Sequence, residues 1–300
     1  MFSHWLRTWQ LGLKSLALHP LRSLLTVLGI FIGVASVIWL LAIGEGISRE
    51  AQRQIEGLGA NNVIVRSIKP PDEASGGIRG LMPYGLTRLD FERLEETLPT
   101  VRRALPIREL RRRFSFHGRS VDGRLVGCTP DYAEVTQLFL KQGRFLSDAD
   151  QHDRKNYCVL AHGTAQQLFP FEDPIGRSIR IEQDYYCVIG VMKRRAPTSG
   201  IGGSLAGQDF KDDVYIPITT LWNRIGDVIL TARTGSLEGE ILELSQITFR
   251  IDDIKHVLET SEIIKHTLAQ YHKTEDYSVT VPLELLEQAK TTRMMFILFL

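Results

Sequence analysis

The stretch SDADQHD, Ser147–Asp153, gathers Asp148, Asp150, His152 and Asp153, side chains that bind metals or move protons. A calcium loop would need a central glycine and a closing glutamate, and this stretch has neither. Nothing elsewhere matches HExxH or paired CxxC spacing, so the stretch reads as a solvated turn. A GxSxG nucleophile elbow is absent. Gly200, Gly202 and Gly203 do not complete GxGxxG, and no helical pattern follows them. The sequence also lacks GxxxxGK[ST], the backbone cradle and lysine that grip nucleotide phosphates. The chain is therefore not expected to be an enzyme or to hydrolyse ATP, and catalytic, cofactor and metal residues are assigned to none. Arg108, Arg111, Arg112 and Arg113 read as a solvated strand face, with an anionic partner as the alternative. Cys128, Cys158 and Cys187 sit in apolar strand patterns. They read as buried free thiols, with one pair among them left open.

Whatever function exists must come from elements rather than a reactive cluster. The formal net charge is +1 with 24% charged residues, which argues against a nucleic-acid binder, whose domain would be strongly basic. The balance is uneven, however: Met1 to Arg22 holds Arg7, Lys14 and Arg22 and no acid. Beyond Arg22 lies SLLTVLGIFIGVASVIWLLAIG, uncharged throughout. As a helix, Leu24 to Ile43 reaches about 30 Å, the thickness of a bilayer core. A signal peptide would have an apolar region of only about 7–15 residues. Here a helical stripe continues through Ile47, Ala51, Ile55 and Leu58, so a retained span over 22–45 is expected. Within it Gly29 and Gly33 form GxxxG, either a close-packing face for another helix or ordinary span glycines.

Residues 1–20 place Phe2, Trp5, Leu6, Trp9, Leu13 and Leu16 on one helical face, opposite Arg7 and Lys14. This fits a helix lying in the headgroup layer and contacting lipid, with Trp5 and Trp9 as interfacial anchors. The basic bias puts this arm in the cytoplasm and the rest of the chain outside.

Residues 46–290 have a mixed α/β pattern. NNVIVRSI reads as a strand, KPPDEASGGIRGLMPYG as a loop, and Thr87 with Asp90 three residues on opens a helix with apolar contacts from Leu89, Leu94 and Leu98. VRRALPI follows as a strand. EILELSQITFRI reads as one strand. Asp252–His272 reads as a helix with Ile254, Val257, Leu258, Ser261, Ile264, Leu268 and Tyr271 on one face, and DYSVTVP as a closing strand. Two β-α-β units thus bracket a strand-rich middle: RRRFSFHG, RSVDGRLVGC, NYCVLA, GRSIRI, DYYCVIGVMK and DVYIP. The expected fold class is an α+β membrane protein: an amphipathic helix, a transmembrane helix, then a two-lobed mixed α/β extracytoplasmic domain. One lobe takes about 46–107 plus 234–285. The inserted lobe takes about 108–233, with Ala196–Gln208 as a long flexible loop. RMMFILFL makes 291–300 the start of a second span.

The run HPLRSLLTVLGIFIGVASVIWLLAIGEG is similar to the first span of the MacB/FtsX-type permeases of ABC transporters. GCTPDYAEVTQLFLKQGRFLSDAD, DPIGRSIRI, YYCVIGVM and DVYIPITT resemble that family's periplasmic core, in the family's order. The resemblance implies four spans, one before the periplasmic domain and three after it, so the chain would stop partway into the second. It implies a homodimer or paralogous permease pair, a separate cytoplasmic ABC ATPase holding ATP and magnesium, and in many members a periplasmic adaptor. It also implies a bacterial inner-membrane location and transmission of ATP-driven motion for efflux or export. A single-span membrane-anchored sensor or binding module is the other class these features allow.

Overall fold

A computed structural model describes residues 18, 20–56, 59, 61–70, 81–194, 210–233, 236–272, 274–284, 291 and 295. The amphipathic arm with Trp5 and Trp9, the Gly-rich segment 196–208, and nearly all of 285–300 lie outside these residues. The chain forms two compact units, Met1–Gln52 and Arg53–Leu300.

The first unit is dominated by helix α1, Pro20–Glu56. Proline suits the first turn, where its missing N–H has no intrahelical role. Within Pro20–Gly46 the most apolar window has a mean hydropathy of 2.6, and none of that window is buried. A helix apolar on every side has no polar face to offer water. Length and composition make it one membrane-spanning candidate among the described residues.

The second unit begins with β1 (Asn62–Ser67), β2 (Leu81–Pro83), α2 (Arg88–Thr97) and β3 (Val101–Phe116). β2 falls inside the stretch expected to be all loop. β4 (Arg119–Cys128) returns antiparallel to β3, closing on the Phe116–Arg119 pair. His117 and Gly118 between them both have positive φ, at 44° and 80°. That is the geometry a two-residue hairpin loop needs to match strand twist.

Next come α3 (Tyr132–Val135), β5 (Leu140–Gly143), α4 (Asp148–His152), β6 (Tyr157–Leu160), α5 (His162–Leu168), β7 (Ser178–Ile181), β8 (Asp184–Met192), β9 (Asp213–Pro217) and α6 (Ile218–Arg224). The chain then forms β10 (Val228–Arg233), β11 (Ser236–Ile241), β12 (Gln246–Ile251), α7 (Val257–Tyr271) and β13 (Tyr277–Thr280). EILELSQITFRI is thus split between β11 and β12. The break lies where Leu244 turns inward to bridge Leu86.

The main sheet has ten strands in the order β13-β1-β12-β3-β4-β9-β6-β8-β5, with β7 pairing both β3 and β8. β1-α2-β3 and β12-α7-β13 interleave at one end, all neighbours antiparallel, in the manner of a split βαβ pair. Val63, Val65, Ile247 and Phe249 form a face covered by Leu94 of α2, by Leu98 at its C-cap, and by Val257, Ile264 and Leu268 of α7. Leu89 is instead 52% exposed, and Ile254, Leu258 and Tyr271 also face outward. The buried stripe of α7 is therefore narrower than its apolar residues suggest, running through Val257, Ser261, Ile264 and Leu268.

At the other end, pairings β3–β4–β9–β6–β8–β7–β3 close a circuit, which leaves few free edges. Strand alternation divides the side chains between its faces. Leu125, Leu160, Val214 and Ile216 join one cluster with Phe114 and Tyr186. Their neighbours Val126, Val159 and Tyr215 join another with Tyr132 and Met192. A small separate sheet, β10-β11-β2, completes the unit.

Candidate functional sites: an apolar span and buried ion pairs

Gly29 and Gly33 lie one turn apart on α1. A Cβ built at either meets nothing within 4 Å. Both positions are open in this single chain, as a surface that has room for another helix would be.

The acidic stretch is organised by capping, and it is not a loose turn. Ser147 caps α4, its side chain accepting from Asp150 N while the Asp150 carboxylate accepts from Ser147 N. Asp150 is 2% exposed and takes two hydrogen bonds from Arg144, at 2.5 and 3.0 Å. The Arg144 guanidinium holds the Asp150 carboxyl down at about 2, against the upward push of burial. A carboxylate committed to a cap and a guanidinium is not available to a metal. Among the described residues no cluster of His, Cys, Asp and Glu is arranged to hold one. The three cysteines are free thiols, with Cys128 and Cys158 fully buried.

The arginine run is not a uniformly solvated face. Arg112 pairs with Glu182, and Arg113 with Asp122 at the surface. Arg108 is completely buried. Burial pushes its guanidinium down to about 10, partly offset by Asp227, which lies 3.6 Å away. Asp227 also receives two 2.6 Å bonds from Arg88, which stacks on Trp222 at 4.4 Å. Asp227 stands just before β10, Arg88 opens α2 and Arg108 lies in mid-β3. One carboxylate therefore joins three elements.

A second buried cluster lies on β3, β4 and β9. Arg124 donates to both oxygens of Asp213, at 3.1 and 2.6 Å, and meets Glu109 at 3.1 Å. Tyr215 adds a hydroxyl donor to Asp213 at 3.1 Å. Burial opposes charge on Arg124, but the Asp213 hydrogen bonds and the Glu109 charge outweigh it and hold the guanidinium above its ordinary value. Burial, aided by the nearby Glu109 charge, pushes the Asp213 carboxyl up. Three donors converging on it favour the ionised form, so the pair is read as charged.

A third cluster ties helix ends together. His272 lies 3.2 Å from Asp90 through Nε2 and 2.7 Å from Asp276 through Nδ1. Asp90 belongs to the Thr87 capping box of α2, and Asp276 accepts from Gly85 N at 2.7 Å. Sequence reading found the cap but missed His272, 182 residues from Asp90. No local spacing marks such a pair. None of these clusters is an acid–base or nucleophile arrangement open to a substrate; they are ties within a scaffold.

The family model of the MacB-like periplasmic core domain matches residues 23–266. The macrolide export ATP-binding/permease protein MacB of Marinobacter nauticus is 31% identical over 291 residues, covering 95% of this chain and 41% of that protein. The probable syringafactin export ATP-binding/permease protein SyfD of Pseudomonas syringae is 29% identical, covering 86% of this chain and 35% of that one. The chain thus spans about two fifths of the length of such relatives. The periplasmic region of MacB from Actinobacillus actinomycetemcomitans has the same fold, with a TM-score of 0.56 at 21% identity over 79% of this chain and 95% of that one. The extracellular domain of the ABC-type transporter YknZ from Gram-positive bacteria matches with a TM-score of 0.54 at 18% identity, over 73% of this chain and all of that one. By the extent of the family match and by its fold, this chain belongs to the MacB-like periplasmic core domain family.

Proposed function

We propose that the chain is the membrane-permease part of a MacB-type ABC export system. The observation that carries this reading is one polypeptide joining an apolar helix with no buried residue over Pro20–Gly46 to a domain of the MacB-like core family. In this reading α1 crosses the inner membrane, with the arm bearing Arg7, Lys14 and Arg22 in the cytoplasm. The domain then lies in the periplasm. ATP and magnesium are held by an ABC ATPase, since these residues contain no phosphate-gripping glycine loop. Two permease copies, or a paralogous pair, assemble around that ATPase, with a periplasmic adaptor as a further partner.

The scaffold suits transmission of motion more than chemistry. We take 46–107 with 234–285 as one lobe and 108–233 as the other. In support, one hydrophobic cluster draws chiefly on the first set and another on the second, while β3 runs through both. Buried ion pairs that join separate elements would stiffen the lobes as the spans move, and the Arg88–Asp227 pair would tie one lobe to the other.

The test uses the permease with its cognate ATPase in nanodiscs. A spin label at Phe171→Cys, 92% exposed, in a Cys187→Ser background, reports the distance between two permease copies. Nucleotide trapping should change that distance. A chain that retains no ATPase, or a distance indifferent to nucleotide, would favour the anchored sensor.

A further inference from the structure

We propose that the second unit carries a binding site for a small amphipathic carboxylate, in a cavity of about 250 Å³ beside α5 and the end of β8. The inner wall includes Ala161, Met192 and Tyr215, each no more than 3% exposed. Tyr215 offers this wall its ring, because its hydroxyl is already given to Asp213. The rim carries Lys193, Arg194 and Lys211. Asp212, next in sequence to the rim, accepts from Gln167 at 2.7 Å and lies 3.8 Å from Lys211. Lys193 and Arg194 make no side-chain ion pair among the described residues. The rim is thus net positive over an apolar floor.

An apolar wall selects an apolar body, and Lys193 and Arg194 at the mouth select an anionic end. A planar carboxylate suits the guanidinium fork of Arg194 and the point charge of Lys193. The volume is below the roughly 300–1,000 Å³ of drug-sized pockets. The ligand is therefore fragment-sized: one ring or short alkyl chain ending in a carboxylate. So small a contact surface sets binding in the millimolar range.

The test is ¹⁹F NMR of 3-(4-fluorophenyl)propionate with the full chain in neutral detergent, against detergent alone. The resonance should broaden with the protein and saturate in the millimolar range, while the matching amide should not respond. Lys193→Glu with Arg194→Glu should weaken binding by tenfold or more, as expected for losing a charge-assisted hydrogen bond. Lys193→Arg should retain it. Gln166→Trp, at an exposed position on the wall, should block the site without moving the unfolding midpoint. A free acid and a peptide's C-terminal carboxylate present the same chemistry. Competition by N-acetylphenylalanine alone assigns the free acid, and equal competition by a longer peptide ending in phenylalanine carboxylate assigns the chain end. Equal binding of acid and amide, broadening unchanged in both the charge-reversed and Gln166→Trp proteins, or no broadening at 10 mM probe would overturn the site.

Discussion

Helices α1 and α7 use apolar residues in opposite ways. In α1 the apolar residues surround the helix and almost all are exposed, with Leu24, Phe31, Ile38 and Trp39 each more than half accessible. In α7 they form a stripe, and Val257, Ile264 and Leu268 are within 1% of full burial. The α7 stripe is satisfied inside its own domain, whereas the apolar residues of α1 remain uncovered among the described residues. Composition identifies a span; periodicity identifies a core helix.

Two substitutions should separate these roles, after a pair that sets the scale. The largest effect is expected from Arg124→Met, which strands Asp213 (side chain 1% exposed) and Glu109. Removing one partner of a buried pair costs roughly 3–5 kcal/mol, read as a lower urea midpoint by near-ultraviolet circular dichroism. Arg113→Met removes a surface pair, both partners more than two-thirds exposed, and should cost at most about 1 kcal/mol. Equal losses would mean that burial does not govern these pairs. Ile264→Ala should cost about 2–5 kcal/mol of domain stability and leave membrane insertion untouched. Val34→Asp should penalise insertion by roughly 2.5–3.5 kcal/mol and leave the urea midpoint unchanged. If either variant moved both readouts, the two helices would not be the independent cases described.

Smaller effects sharpen the picture. The folded Asp150 carboxyl sits at about 2 against an ordinary 3.8, so its contribution is fully present above pH 3.8. That contribution is lost as pH falls from there through about 2. Asp150→Ala should cost about 1 kcal/mol near neutral pH, and its difference from the parent should shrink on acidification through that window. A constant difference down to pH 2 would contradict the assignment. Gly33→Ile should leave domain stability unchanged and weaken association of permease copies. If Ser36→Ile does that instead, the contact face of α1 has been misplaced.

Local signals carried much of this architecture. The uncharged run announces α1, and Thr87 with Asp90 announces the start of α2. Ser147 with Asp150 has the same spacing, yet the surrounding Asp and His suggested a solvated turn. Its identity as a capped helix depends on Arg144 burying the carboxylate. Arg108 looked solvated among three other arginines because its partner Asp227 is 119 residues away. Arg124 and Asp213 are 89 residues apart. Ion pairs made by topology leave no mark at short spacing, whereas caps and apolar periodicity are written within a few residues. The division of EILELSQITFRI has the same cause, since Leu244 turns inward to meet Leu86 far upstream.

The central claim is that α1 spans the membrane and the α/β unit lies wholly outside it. Labelling intact spheroplasts with a membrane-impermeant maleimide tests this most directly, in a Cys187→Ser background that leaves only the buried Cys128 and Cys158. Phe171→Cys should react in intact spheroplasts, and Ser3→Cys should react only after lysis. The reverse pattern would place the domain in the cytoplasm, and reaction at both positions before lysis would mean that α1 does not cross; either result contradicts the account.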